Sequence, residues 1–224
     1  MDSFDNVSEI DIPIDGQVHK AILGVPENAT SIVIFAHGSG SSRLSRRNNF
    51  VAEIIRQRLI ATLLFDLLTL EEDQVYANRF DIPLLTHRLV EATLWILAQP
   101  TFANFKVGYF GASTGAAAAL QAATHQRKSI SAVVSRGGRP DLAGTADLNL
   151  VIAPTLLIVG GDDNAVIELN QQAYSKLTSV KELKIIPGAT HLFEEPGTLE
   201  EAADLAADWF EKYFSETEPE LSSA

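Results

Sequence analysis

Four short stretches hold residue types that together do acyl-transfer chemistry: G-A-S-T-G at 111–115, G-G-D-D-N at 160–164, G-A-T-H-L-F at 188–193 and H-G-S-G-S-S at 37–42. A serine hydroxyl attacks a carbonyl only when a neighbouring base takes its proton, and the base works best when a carboxylate fixes its tautomer. Ser113 is the candidate nucleophile. It has glycines two residues before and two after it, and such small neighbours let a strand and a helix meet in a sharp turn that exposes the hydroxyl. Of the five histidines, His191 is the candidate base, because it lies in a loop after the last apolar run. Asp162 and Asp163 both lie where an orienting carboxylate is needed; one would hold the histidine and the other would cap the following helix. A tetrahedral oxyanion also needs donors. The residue after the nucleophile, Thr114, supplies one amide, and the Gly-rich loop at 37–42 supplies the other, from Ser39. His37 is then a loop-shaping residue. His19, His87 and His125 read as surface or structural residues.

The elements that must position these groups are legible as alternating runs. Residues 8–14 and 17–25 alternate polar and apolar around Asp15-Gly16, which predicts an antiparallel hairpin at a sheet edge, where Pro13 is tolerated. From residue 31 the runs S-I-V-I-F-A, A-T-L-L-F-D, K-V-G-Y-F-G, I-S-A-V-V-S and P-T-L-L-I-V-G are nearly all apolar, as strands buried on both faces are. K-E-L-K-I-I-P reads as a further, edge strand. Helical patterns fall between them at 46–59, 82–98, 114–126, 165–178 and 199–214. The last is expected to start with a Thr-x-x-Glu capping box at Thr198 and Glu201. The stretch 139–153 reads as irregular and too short for a substantial lid.

This alternation predicts one α/β domain over residues 8–214, with a tail at 1–7 and a disordered tail at 215–224. Its sheet is mostly parallel and eight-stranded, with an antiparallel N-terminal hairpin, helices on both faces and no large cap. Each member of the Ser113, Asp, His191 order follows a parallel strand, where open α/β sheets bind ligands.

Composition limits the alternatives. The formal net charge of −12 disfavours nucleic acid as a partner. The absence of cysteine rules out a thiol nucleophile, a cysteine zinc site and a disulfide framework. The acidic N-terminus does not read as a secretory signal, and no apolar run approaches the ~20 residues of a membrane span. A cytoplasmic protein is expected. The loop at 37–42 matches neither the P-loop nor the dinucleotide-binding fingerprint.

With these motifs the chain resembles the α/β-hydrolase superfamily, and within it the dienelactone hydrolase-like group, from about residue 17 to residue 214. The resemblance rests on H-G-S-G-S-S-R-L-S, L-L-F-D-L-L-T, G-Y-F-G-A-S-T-G-A-A-A-A-L, V-S-R-G-G-R-P-D-L, L-L-I-V-G-G-D-D-N-A-V and G-A-T-H-L-F-E-E-P-G. Similar sequences also occur fused to phosphoribosyltransferase-like domains. The resemblance implies a Ser113–His191–Asp163 triad, with Asp163 chosen over Asp162 because Gly160, Asp163 and Val166 fit the family's G-x-x-D-x-x-V register. Two residues depart from bacterial dienelactone hydrolases proper, which use a cysteine nucleophile and carry a glutamate where this chain has Gly38.

The implied activity is hydrolysis of a small ester, lactone or related acyl substrate through an acyl-enzyme, with no metal or organic cofactor. A thioesterase or acyltransferase with the same triad, and a non-catalytic module on the same fold, are the alternatives. In S-R-G-G-R-P-D, Arg136 or Arg139 would pair with a substrate carboxylate, unless it pairs locally with Asp141.

Overall fold

A computed structural model describes residues 6–216. The first two strands, β1 (Asn6–Ile14) and β2 (Gln17–Val25), form the expected hairpin, starting two residues earlier than the alternation predicts, with Asn6 opposite Val25. Asp15 and Gly16 turn with φ of 51° and 77°. Two successive positive φ values match the right-handed twist of the strands they join. Then come β3 (Ser31–Ala36), β4 (Ala61–Phe65), β5 (Lys106–Ala112), β6 (Ile130–Arg136), β7 (Thr155–Gly160) and β8 (Lys181–Ile186).

The eight strands form one sheet in the order β1-β2-β4-β3-β5-β6-β7-β8. β2 meets β4 antiparallel, and every pairing beyond it is parallel. Every residue of β3, β4 and β7 is buried, whereas β8 is partly exposed, as suits an edge strand. The chain leaves β3 for β4 on one side and returns to β5 on the other. The carboxyl ends of β3 and β5 therefore flank the switch point at which open sheets place their ligands.

Seven α-helices are described: α1 (Arg46–Gln57), α2 (Leu70–Asp73), α3 (Ile82–Leu97), α4 (Thr114–Gln126), α5 (Thr145–Leu148), α6 (Asn164–Lys176) and α7 (Thr198–Ser215). α1 and α7 cover one face, burying Val51, Ile55, Ala206 and Phe210 against the sheet. α3, α4 and α6 cover the other, with Leu85, Leu89, Leu120 and Ala173 in the core. Among the described residues, no helix is long and apolar enough to cross a membrane.

Three expectations change. The capping box at Thr198 does not form. Gly197, at φ 84°, takes the cap position, and the Thr198 hydroxyl instead donates to the Glu195 carbonyl at 2.7 Å. A capping box does form at Thr69 and Glu72, ahead of the short α2. The stretch 139–153 is not wholly irregular: it holds a 3-10 turn, Pro140–Ala143, and then α5. The tails expected at 1–7 and 215–224 also shorten: Asn6 and Val7 belong to β1 and Ser215 to α7, and residues 1–5 and 217–224 lie outside the described residues.

The junction of β5 and α4 depends on two close approaches. A Cβ on Gly115 would stand 2.1 Å from the Ala36 carbonyl oxygen, and one on Gly111 would stand 2.4 Å from the Ala116 Cα. Both neighbours are backbone, so neither can swing aside. Gly115→Ala is expected to lower stability by on the order of 3 kcal/mol, the scale of overpacking in a rigid core. Urea unfolding measures this, and a loss below about 0.5 kcal/mol would contradict the close approach.

Candidate active site

Ser113 links β5 to α4 with φ 52° and ψ −121°. A non-glycine residue there is strained by roughly 1–3 kcal/mol and persists only when its surroundings over-determine it. They do so here. The Ser113 N–H donates to the Arg136 carbonyl at 3.2 Å, and the Ser113 carbonyl accepts from the N–H groups of Arg139 at 3.0 Å and Ala116 at 3.1 Å. The Ser113 backbone is thus fixed by the turn that follows β6.

His191 and its carboxylate come together because two loops touch. A Cβ on Gly160 would lie 2.4 Å from the Ala189 carbonyl oxygen, so only glycine lets the end of β7 pass beneath the 187–193 loop. The Asp162 N–H donates to that same carbonyl at 2.9 Å. The result is a 2.7 Å hydrogen bond between His191 Nδ1 and Asp163 Oδ2. The Asp163 side chain is 15% exposed and the His191 ring 39%. With Nδ1–H donating to the carboxylate, Nε2 is the free acceptor. From the other side, Glu195 accepts from the Thr190 N–H and hydroxyl, at 3.0 and 2.7 Å, and steadies the loop. Those bonds hold the exposed Glu195 carboxyl below its usual range.

Asp163, rather than Asp162, is the carboxylate on His191. The division of labour expected for the pair does not hold. Asp163 itself stands at the cap position of α6, yet its side chain caps nothing, being turned to the imidazole. Asp162 is exposed.

The two halves meet in a cleft of about 280 Å³ at the carboxyl edge, bordered by Gly38, Ser39, Arg47, Ser113, Arg136 and His191. The His191 Cε1 atom lies 3.7 Å from the Cβ position of Gly137, next to the residue whose carbonyl holds the Ser113 N–H. Larger concavities of about 690 Å³ at the opposite edge and about 500 Å³ beside the hairpin contain neither Ser113 nor His191.

The loop after β3 is shaped by His37. Its Nε2 accepts from the Leu67 N–H at 3.0 Å, and its Nδ1–H donates to the Gly38 carbonyl at 3.0 Å. Both ring nitrogens are engaged, and burial pushes its pKa down. Ser39 and Thr114 do converge, in a way sequence spacing does not show: the Ser39 N–H donates to the Thr114 hydroxyl at 2.8 Å. Gly38 passes against Ser113, its Cβ position 3.0 Å from the Ser113 Cβ. Any side chain there would press on Ser113.

The remaining candidates separate. Arg139 pairs with Asp141 through Nε and Nη2 at 2.9 and 2.8 Å. Arg136 is buried at the cleft, and its Nη2 donates to Asn48 Oδ1 at 3.2 Å. His19 is buried with Nδ1 on the Asp66 carbonyl, and His87 pairs with Asp15 on the surface. Among the described residues, no cluster of three or more His, Cys, Asp or Glu could hold a metal ion.

Two measurements follow from this geometry. Asp163→Asn should slow the reaction of Ser113 with a fluorophosphonate by on the order of 10³, whereas Asp162→Asn should leave it within about threefold. Comparable slowing by both would remove Asp163 from its place. The buried, neutral His37 has a folded pKa below its unfolded ~6.5. The unfolded chain therefore binds the extra proton first as pH falls, and stability declines below about pH 6.5. His37→Asn should flatten that part of a melting-temperature profile, and an unchanged slope would show that His37 does not contribute.

Known proteins agree with this architecture. Residues 51–217 match the Dienelactone hydrolase family. A solved dienelactone hydrolase from Anabaena variabilis is 51% identical, with 94% of this chain and 99% of that one covered and a TM-score of 0.90. Est1E from Butyrivibrio proteoclasticus shares the fold at 16% identity and a TM-score of 0.79, covering 93% and 99%. A Mycobacterium tuberculosis protein named "Putative phosphoribosyl transferase" is 58% identical over 199 residues, which are 89% of this chain and 44% of that protein. The chain thus spans less than half the length of the curated relatives it matches. With its strained strand-to-helix turn at Ser113, its strand order and this similarity, the chain belongs to the dienelactone hydrolase family of α/β-hydrolases.

Proposed function

We propose that this chain is a serine hydrolase that cleaves a small ester or lactone through an acyl-enzyme on Ser113. The observation that carries this reading is the 2.7 Å Asp163–His191 bond on the same cleft as a strained serine at the end of β5. His191 Nε2 takes the proton from the Ser113 hydroxyl as Oγ bonds to the substrate carbonyl carbon. Asp163 stabilises the imidazolium that forms. The carbonyl oxygen becomes an oxyanion facing the Thr114 N–H at the start of α4, where the helix dipole is positive. The Ser39 N–H is the second donor, and it exchanges the Thr114 hydroxyl for the oxyanion.

The tetrahedral intermediate collapses as the leaving oxygen takes the proton from His191. Water, deprotonated by His191, then releases the acid and restores Ser113. In a lactone the leaving oxygen stays tethered to the acyl group, so one hydroxy acid is the product. The modest cleft favours small substrates, and the net charge of −12 suits a cytoplasmic enzyme without nucleic-acid partners.

Ser113→Ala is expected to reduce kcat/KM on any hydrolysed ester by at least about 10³ while the melting temperature stays within a few degrees. Turnover by purified Ser113→Ala protein at the wild-type rate would overturn the assignment.

A further inference from the structure

The sheet ends on β8, and among the described residues no strand lies beyond it. The Thr155 N–H donates to the Val180 carbonyl at 2.8 Å, and the Gly161 N–H to the Ile186 carbonyl at 2.7 Å. The backbone groups of a strand point alternately to its two sides, so Glu182, Lys184 and Ile186 turn theirs to β7. Lys181, Leu183 and Ile185 turn theirs outward, away from the sheet. Val180 and Ile185 are exposed beside them. A row of free donors and acceptors flanked by apolar side chains is a template for another strand.

The charges decide which strand fits. Glu182 and Lys184, both half-exposed, share one face of β8, with Nζ 3.0 Å from Oε2. An exposed pair of this kind within one chain contributes little. Edge lysines ordinarily keep other chains away. A second copy of β8 laid antiparallel about Leu183 instead brings a glutamate to each lysine: Glu182 lies opposite the second copy's Lys184, and Lys184 opposite its Glu182.

The backbone agrees with that register. Leu183 meets Leu183, and Lys181 meets Ile185, so the residues with outward groups form the hydrogen-bonded pairs and each pair exchanges both of its bonds. Glu182 and Lys184 fall in the other pairs, where side chains approach closest. Centring on Glu182 or Lys184 would set like charges opposite each other, and centring on Lys181 would shorten the ladder. The opposite edge of the sheet offers no such match. β1 carries Glu9, Asp11 and Pro13, and two copies paired about Ile10 would set Glu9 against Asp11.

We propose that β8 is a dimerisation edge, on which a second copy of this chain pairs antiparallel about Leu183 and joins the two sheets across a two-fold axis. The contact is isologous, each copy giving the other the same residues. Antiparallel pairing points the carboxyl edges of the two sheets in opposite directions, so both Ser113 clefts stay open. The 187–193 loop, with His191, leaves from the paired strand. The proposal stands independently of the hydrolase reading.

Sedimentation equilibrium of the whole chain from about 1 to 100 μM reads the mass. The wild-type protein should sediment at twice the chain mass, or pass to it across that range. Glu182→Lys and Lys184→Glu each set like charges opposite one another twice per dimer, and each alone should raise the dimer dissociation constant by at least about tenfold. Mixed in equal amounts, the two variants should dimerise again to within about threefold of wild type, because every lysine of the mixed pair faces a glutamate. Ile185→Pro removes an outward N–H that β7 does not use, and should leave a folded monomer. Circular dichroism checks its fold, and the charge variants, at half-exposed positions, decide the matter if it does not fold. A wild-type monomer throughout the range, a dimer that persists in folded Ile185→Pro or is unmoved by either charge variant, or a mixture that stays monomeric would each overturn the proposal.

Discussion

The backbone of Ser113, at φ 52°, has an unfavourable conformation that three hydrogen bonds to Arg136, Arg139 and Ala116 hold in place. Much else in the molecule follows from keeping it there. The two glycines flanking the elbow let α4 start directly under β3 and β5. The alanines of α4 then pack with no exposed surface against the sheet. The strand order places β3, β5 and β6 side by side, so the loop after β3, Ser113 and the arginine turn share one edge. Strain at a functional residue is tolerated when the scaffold around it is rigid, and here the scaffold is a doubly covered sheet.

His191 and the Asp163 carboxylate depend on a different contact, the passage of Gly160 beneath Ala189. It joins the end of β7 to the loop after β8, and so couples Asp163 to His191 across 28 residues of sequence. His37 performs the equivalent task on the other flank, tying the loop after β3 to the backbone at Leu67. These two contacts fix the loop after β3 and the loop after β8, which border the cleft together with the Ser113 turn. The Ser39–Thr114 hydrogen bond ties the loop after β3 to the start of α4.

The strands were the most legible part of the chain, because burial on both faces leaves runs such as S-I-V-I-F-A that little else explains. The motifs around Ser113 and Asp163 were legible for a related reason: the steric demands on Gly111, Gly115 and Gly160 are written in residue type. Short helices such as α2 and α5 span too few residues to show a 3.6-residue period. The capping box at Thr198 failed because Gly197 already supplied the left-handed cap, which spacing alone does not weigh. The two arginines of S-R-G-G-R-P-D looked equivalent in sequence. Arg139 has its acid two residues away, whereas the environment of Arg136 comes from Asn48, Phe110 and Phe193, brought together only by the fold.

The central claim is a covalent step at Ser113. Mixing the protein with a chromogenic ester such as 4-nitrophenyl acetate, quenching in acid within milliseconds and weighing the digested peptides tests it most directly. The account predicts an acetyl adduct on the peptide that contains Ser113, formed in a burst of no more than one equivalent of nitrophenol and absent from Ser113→Ala. Full turnover with no adduct on that peptide, or an adduct on another residue, would contradict it.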